Sequence, residues 1–290
     1  MINRPNNIEK TQRIKNLEPD RKRSGCGCCG CIFIFVVLFL AYLFAPVSTK
    51  FLLMGIDRSP EQTQTGRSDT LQVFSVNPLL PMVKILSIPR DLWVSIPDYG
   101  ENRINTAHFF AEAEKPGSGP EKTLETIKVN FPLNINYFVR LNLNNFPQLI
   151  DSLGGITINL PEPMAGYSAG SHRLNGEQAM AFVRSRSDGD DFFRMNQGQF
   201  FIQSFAREFI NPTTWLKLPE ILPSAINAID TNLPVWLWPR LGVALLRASI
   251  TGVDSYIIDR SMVTPTVTSG GAQVLLPNWE AINELIREFN

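Results

Sequence analysis

Cysteine is missing from everything after Cys31, histidine occurs only twice, and charge of either sign is missing from Ser24 to Thr49. Each absence removes a class of protein. All four cysteines, Cys26, Cys28, Cys29 and Cys31, fall close together, so no disulfide framework holds the rest of the chain. Their spacing matches no zinc-ligand pattern, and they read as reduced thiols. With only His108 and His172, no later cysteine and no serine-nucleophile elbow of the Gly-x-Ser-x-Gly kind expected, the familiar hydrolase triads have little to work with. A basic excess is missing too. The 27 Lys and Arg balance 27 Asp and Glu, so nothing global suggests a nucleic-acid binder.

What is present is a chain of 290 residues, 44% hydrophobic and 19% charged, enough for a sizeable core and too apolar for a disordered or collagenous protein. The neutral sum hides an asymmetry: residues 1–24 carry seven basic and three acidic side chains, net +4, which leaves net −4 for the remainder. Between these parts, Ile32 to Ala45 is wholly apolar. Roughly 20 such residues cross a bilayer core, and Cys28 to Val47 reaches that length. Arg21, Lys22 and Arg23 precede it as a cytoplasmic flank should. The expected organisation is a cytoplasmic basic tail over 1–25, a transmembrane signal anchor over 26–48, and an extracytoplasmic region behind it, in a single-pass cell-membrane protein. A cleaved signal peptide is the competing reading, against which stand the long n-region and Pro46 after Ala45.

From Lys50 onward, β-branched and aromatic runs alternate with helix-length stretches, the pattern of an α/β domain. Strands are expected over Phe51–Ile56, Thr70–Val76, Val83–Ile88, Tyr137–Leu143 and Ile156–Leu160. Helices are expected over Asn105–Glu114, Glu121–Asn130, Phe146–Leu153, Gly176–Arg184 and Phe192–Ile210. Asn175 is placed to cap the fourth of these, whose far end delivers Arg184 and Arg186. Past Asn211, prolines interrupt apolar segments and three tryptophans crowd together; residues 212–290 read as an appended extension, ending in a strand near Val253–Ile258 and a helix from Trp279.

The chemistry must come from carboxylates and arginines. They gather where loops meet strand ends: Asp57 and Arg58 after the first strand, Arg67 and Asp69 before the second, Arg90 and Asp91 after the third, then Arg103. A later group holds Arg184, Arg186, Asp190, Asp191 and Arg194. Strand ends of α/β sheets form ligand crevices, and guanidinium forks with hard oxygen ligands suit a magnesium-bound diphosphate. The alternative for any one Arg and Asp is a solvated surface ion pair.

The order of these residues carries a resemblance. Gly55-Ile56-Asp57-Arg58, Gly66-Arg67-Ser68-Asp69-Thr70, Ser87–Asp91 (SIPRD), Arg103–Asn105 (RIN), Leu153–Thr157 (LGGIT), Leu174–Arg186 (LNGEQAMAFVRSR) and then Asp191, Phe192 and Arg194 are similar in series to the LytR-CpsA-Psr family of bacterial cell-envelope proteins. The resemblance spans residues 50–210 and implies a catalytic domain over 49–211 with a central mixed sheet flanked by helices, after one N-terminal transmembrane helix. It implies transfer of an anionic glycopolymer from a polyprenyl diphosphate carrier to a peptidoglycan hydroxyl by Mg²⁺-dependent phosphotransfer. By position, Asp57 and Asp69 would hold Mg²⁺; Arg67, Arg90, Arg103, Arg184, Arg186 and Arg194 would bind the diphosphate; Asp91 and Asp191 complete the catalytic set with Arg90, and either aspartate can serve as general base.

The chain departs from the family's closing Arg-Gln-Gln, carrying Gln197, Gly198 and Gln199 instead, which removes one cation and one amide donor. That departure keeps two alternatives open: hydrolysis of the same lipid diphosphate, and a non-catalytic lipid-diphosphate sensor or envelope regulator. Direct gene regulation is disfavoured, because the short tail before the anchor contains no DNA-binding fold. A carrier lipid also needs a dry slot, for which Phe109, Phe110, Leu124, Ile127, Phe138, Phe146, Phe182, Phe200, Phe201 and Phe205 are candidates, although core packing accounts for most of them.

Overall fold

A computed structural model describes residues 27–57, 66–78, 83–185, 191–208 and 211–290. Within these, nothing is described of the side chains of Asp57, Asp191 and Arg194. The apolar run forms helix α1 (Gly27–Leu43), with 17 residues. Among the described residues no helix is long and apolar enough to cross a membrane, and α1 stops short of the expected anchor end, because residues 45–48 leave the helix and Thr49 already enters a strand. The described residues up to Tyr42 and those from Leu43 onward belong to separate units.

The larger unit opens with β1 (Thr49–Asp57), β2 (Arg67–Val76) and β3 (Val83–Ser87), an antiparallel meander. A hairpin of β4 (Trp93–Ile96) and β5 (Gly100–Arg103) follows, then helices α2 (Thr106–Glu114) and α3 (Gly119–Asn130). The chain returns through β6 (Tyr137–Asn142), parallel to β1, into α4 (Phe146–Ser152). Strands β7 (Ile156–Leu160) and β8 (Gly170–Leu174) form a second hairpin leading into α5 (Gly176–Arg184) and α6 (Asp191–Glu208). The last third holds α7 (Pro212–Leu216), α8 (Leu218–Ala228), β9 (Ile229–Thr231), α9 (Trp238–Thr251), β10 (Asp254–Ile257), β11 (Val263–Val267), β12 (Gln273–Pro277) and α10 (Trp279–Phe289).

The main sheet has six strands in the order β10-β3-β2-β1-β6-β9 and mixes both pairings, so the expected α/β class with a central mixed sheet holds. The boundary at 211/212 does not. β9 and β10 close the two edges of this one sheet, and Ile282, Ile286 and Phe289 of α10 lie in the same core as Leu52, Met54 and Leu71. Residues 212–290 therefore complete the domain. Prolines at the starts of α7, α8 and α9 occupy the first helical turn, where a missing N–H costs nothing; in the sequence they resembled interruptions.

One face of the sheet packs on α2, α3 and α10. On the other side lie α9 against Phe74, Val76 and Ile85, and a layer around α4, α5, α6 and α8. Phe146, Phe182 and Phe201 belong to that layer and Phe138 to the first core. Several matched motif residues serve this packing. Gly155 has φ of 91°, and a Cβ there would lie 2.7 Å from the Leu174 carbonyl oxygen, so the glycines of LGGIT turn α4 into β7. At Gly176 a Cβ would meet the Pro147 carbonyl at 2.1 Å, so α5 begins against α4. The cap is as expected, and reciprocal: Asn175 Oδ1 accepts from the Gln178 amide at 2.9 Å, and Gln178 Oε1 accepts from the Asn175 amide at 3.0 Å.

Candidate active site

The register of β1 and β2 pairs Gly55 with Thr70 and Ile56 with Ser68. Asp69 is thus the extra residue of a bulge, the device that re-aims a side chain at the end of a ladder. Its carboxylate turns to Arg90, in the turn after β3, with Oδ1 2.7 Å from Nη1. Arg90 Nε lies 3.4 Å from Asp91 Oδ2, and Asp91 Oδ1 accepts from Arg103 Nη1 at 3.5 Å. The four side chains form one alternating row, each 20–31% exposed, neither buried nor freely solvated.

Backbone hydrogen bonds hold that row from behind. The Asn105 amide donates to the Arg90 carbonyl at 3.2 Å, and the Ser68 amide donates to the Asn105 carbonyl at 3.4 Å. One turn into α2, His108 Nδ1 donates to the Gly66 carbonyl at 2.9 Å, which fixes the entry to β2. Burial holds the His108 imidazole down to about 4 from its usual 6.5, so at neutral pH it is an uncharged donor to the backbone. The RIN match owes its place to these bonds as much as to Arg103.

A second set of polar residues joins Ser87 and Gln199, both within the matched motifs, to Gln72, which the sequence did not single out. Gln72 Nε2 donates to Ser87 Oγ at 3.2 Å, and Gln199 Nε2 donates to the same oxygen at 3.0 Å. All three are buried, and they tie β2, β3 and α6 together just behind Asp69 and Arg90. No signal in the sequence marks Gln72, because in Leu71-Gln72-Val73 a glutamine sits where an alternating strand would show a solvent-facing residue. Gln197, at the departure from the family pattern, is fully buried, and neither of its amide atoms has a hydrogen-bond partner among the described residues.

Other expected residues stand as follows. Arg67 is exposed at the start of β2, and Arg184 is exposed at the last residue of α5. Asp57 ends β1 with its backbone opposite Arg67, and Asp191 and Arg194 begin α6; their side chains lie outside the described set, as do Arg58, Arg186 and Asp190 entirely. Among the described residues no group of three or more His, Cys, Asp or Glu is placed to hold a metal ion alone. Arg140, outside the matched motifs, is a buried structural charge. Its guanidinium lies 3.3 Å from Glu112 and 2.6 Å from Asp230, and both it and Glu112 are nearly inaccessible.

A Gly-x-Ser-x-Gly string also escaped the sequence reading: Gly166-Tyr167-Ser168-Ala169-Gly170. A nucleophile elbow needs a strand-to-helix turn. This string instead lies in the connection between β7 and β8, and His172 Nε2 meets the Ser168 carbonyl at 2.8 Å rather than its hydroxyl. It is a turn, not a triad.

The domain thus aligns arginines and aspartates in one partly open row at the strand ends of a mixed sheet, a donor set whose chemistry suits anionic groups. The chain is a member of the LytR-CpsA-Psr family, whose model matches residues 46–286. It is 34% identical over 192 residues to the polyisoprenyl-teichoic acid--peptidoglycan teichoic acid transferase TagU of Oceanobacillus iheyensis, covering 64% of this chain and 59% of that one. It is 29% identical over 191 residues to the regulatory protein MsrR of Staphylococcus aureus, covering 63% and 56%. The matched stretch thus spans less than two thirds of these curated relatives. In fold it is similar to Bacillus subtilis TagV, with a TM-score of 0.66 at 23% identity over 84% of this chain and 97% of that one. A structure described as TagT bound to LIIa-WTA gives a TM-score of 0.66 at 21% identity, over 83% and 89%.

Proposed function

We propose that this chain transfers an anionic glycopolymer from a polyprenyl diphosphate carrier to a peptidoglycan hydroxyl, as a membrane-anchored phosphotransferase with its domain outside the cytoplasm. The paired row Asp69-Arg90-Asp91-Arg103 carries this reading, since aligned guanidinium forks at strand ends suit diphosphate oxygens. The transferase name of the Oceanobacillus iheyensis relative supports the reaction class. The uncharged Ser24–Thr49 interval behind a basic tail supports the anchor and its orientation.

In the proposed step the acceptor hydroxyl oxygen attacks the phosphorus next to the sugar. A new phosphodiester bond forms, the phosphoanhydride bond breaks, and polyprenyl phosphate leaves with the electron pair. Arg67, Arg90, Arg103, Arg184, Arg186 and Arg194 bind and orient the diphosphate. Both Asp91 oxygens face guanidiniums, so Asp91 aligns Arg90 and Arg103, and Asp191 is left to take the hydroxyl proton. The donor chemistry fits Mg²⁺: Asp69 meets Arg90 through one oxygen, and with Asp57 it offers hard oxygens from adjacent strands, the one or two carboxylates this ion takes alongside substrate phosphates. When bound, Mg²⁺ would neutralise charge on the diphosphate.

The test is product analysis by mass spectrometry, with the full chain in vesicles, a polyprenyl diphosphate-linked glycopolymer, a peptidoglycan oligosaccharide and Mg²⁺. The expected product is the phosphodiester-linked conjugate plus polyprenyl phosphate, with Asp69→Asn losing its response to Mg²⁺. Release of the lipid without conjugate would make the chain a hydrolase, and tight lipid binding with no product would make it a sensor, as the missing Arg and Gln at Gln197 and Gly198 allow.

A further inference from the structure

The last third of the chain leaves an apolar face in a place that the catalytic reading does not use. Past β9 a short 3-10 turn, Val235–Leu237, leads into α9. Val235 is 78% exposed, Trp236 68% and Trp238 52%. Exposed tryptophan is the side chain with an apolar body and one polar N–H, favoured where an apolar phase meets a wet one.

The location of this face follows from hydrogen bonds. Two residues after Trp238, Arg240 Nη2 donates to the carbonyl oxygens of Ala45 and Val47, at 2.9 and 2.7 Å. The apolar helix α1 ends at Leu43, so Ala45 lies two Cα steps beyond it, at most about 8 Å away. The tryptophan-bearing turn is thereby tied to the point where the chain leaves the uncharged segment. Asn232 places it on the sheet as well: its Oδ1 accepts from the Phe138 amide at 2.8 Å and its Nδ2 donates to the Asn136 carbonyl at 3.1 Å, at the start of β6 and hence beside the start of its parallel neighbour β1. Asp57 and the row at Arg90 lie at the other end of β1, about 26 Å away along nine extended residues.

We propose that the face formed by Val235, Trp236 and Trp238 rests in the headgroup layer of the bilayer from which the chain emerges, so that the catalytic row is held at the far end of the sheet from the membrane. This rests on the anchor reading above.

The experiment uses the full chain in vesicles of phosphatidylcholine and phosphatidylglycerol whose acyl chains carry bromine near the headgroup, with tryptophan fluorescence as readout. Bromolipid should quench the parent, Trp236→Phe/Trp238→Phe should lose most of the quenchable emission, and Trp93→Phe/Trp279→Phe should keep it. Phenylalanine at exposed positions leaves the fold intact, which circular dichroism checks. If the chain floats with vesicles but quenching is the same in the Trp236→Phe/Trp238→Phe variant as in the parent, the face does not meet lipid. If emission at these positions instead shifts only with protein density, the face meets a second copy, and the proposal is overturned. A chain that fails to float at all sinks the anchor reading together with this one.

Discussion

Two groups of arginine and carboxylate lie on either side of the Gly66–His108 contact, and they do opposite work. At the strand ends, Asp69, Arg90, Asp91 and Arg103 are 20–31% exposed and joined in a row. Inside, Arg140 is 9% exposed and pairs with Glu112, 2% exposed, which also accepts from the Gly117 and Gly119 amides at 2.8 and 3.0 Å. The residue types are the same, and access to water separates them. A buried pair must stay paired, because removing one partner strands a charge in a medium that cannot solvate it. A partly open row can trade partners with an arriving anion at little cost.

The largest expected effect breaks the inner group. Arg140→Ala should lower stability by about 3 kcal/mol in urea denaturation, whereas Arg103→Ala should cost less than about 1 kcal/mol. Equal losses would erase the distinction between the two groups.

The next effect concerns the histidine between them. Folded His108 stays neutral down to about 4, while the unfolded residue takes up its proton near 6.5. The unfolded state therefore binds more protons between these values, and stability falls as pH drops from 6.5 toward 4. At pH 5 the loss should be roughly 2 kcal/mol. His108→Gln should flatten this part of the pH profile; a profile unchanged by the substitution would place the titration elsewhere.

The open row should answer to binding rather than to stability. Arg90→Lys keeps the charge but loses the fork, and should weaken diphosphate binding at least about tenfold, ~1.4 kcal/mol, while changing stability by a few tenths. Arg207→Lys, on the exposed far end of α6, should bind as the parent does. If the two variants bind alike in calorimetry, the row is only a surface ion pair.

The smallest effect is at Gly198, where a Cβ would have Gln72 Nε2 at 3.6 Å as its nearest neighbour. That is an ordinary contact, so Gly198→Ala should raise the thermal midpoint through about 1 kcal/mol of helix propensity. A loss instead would mean that the Gln72-Ser87-Gln199 cluster needs the space.

Much of the fold was legible because its signals are local. Strand alternation placed β1, β2, β3, β6 and β7, and Asn175 marked the start of α5 before any contact was known. The edge strand β9 was less so, since three residues carry too little pattern, and β10, expected near Val253–Ile258, gave no sign that its partner is β3. At the site, the sequence named Arg90, Asp91 and Gln199 but not Gln72, nor that both glutamines converge on Ser87, since that depends on which face of β2 looks toward α6.

The sequence alone determined the uncharged apolar interval, the α/β alternation, the helix cap and the ordered motifs that belong to this family, all of which are written in neighbouring residues. Only the tertiary structure decided that Asp69, Arg90 and Arg103 share one row, that residues 212–290 finish the sheet, and that Arg140 is a strut rather than a surface charge. Arg140 meets Glu112 and Asp230 across 28 and 90 residues of chain, and the free energy of a charge is set by its partners and its access to water, neither of which is a property of its own stretch of sequence.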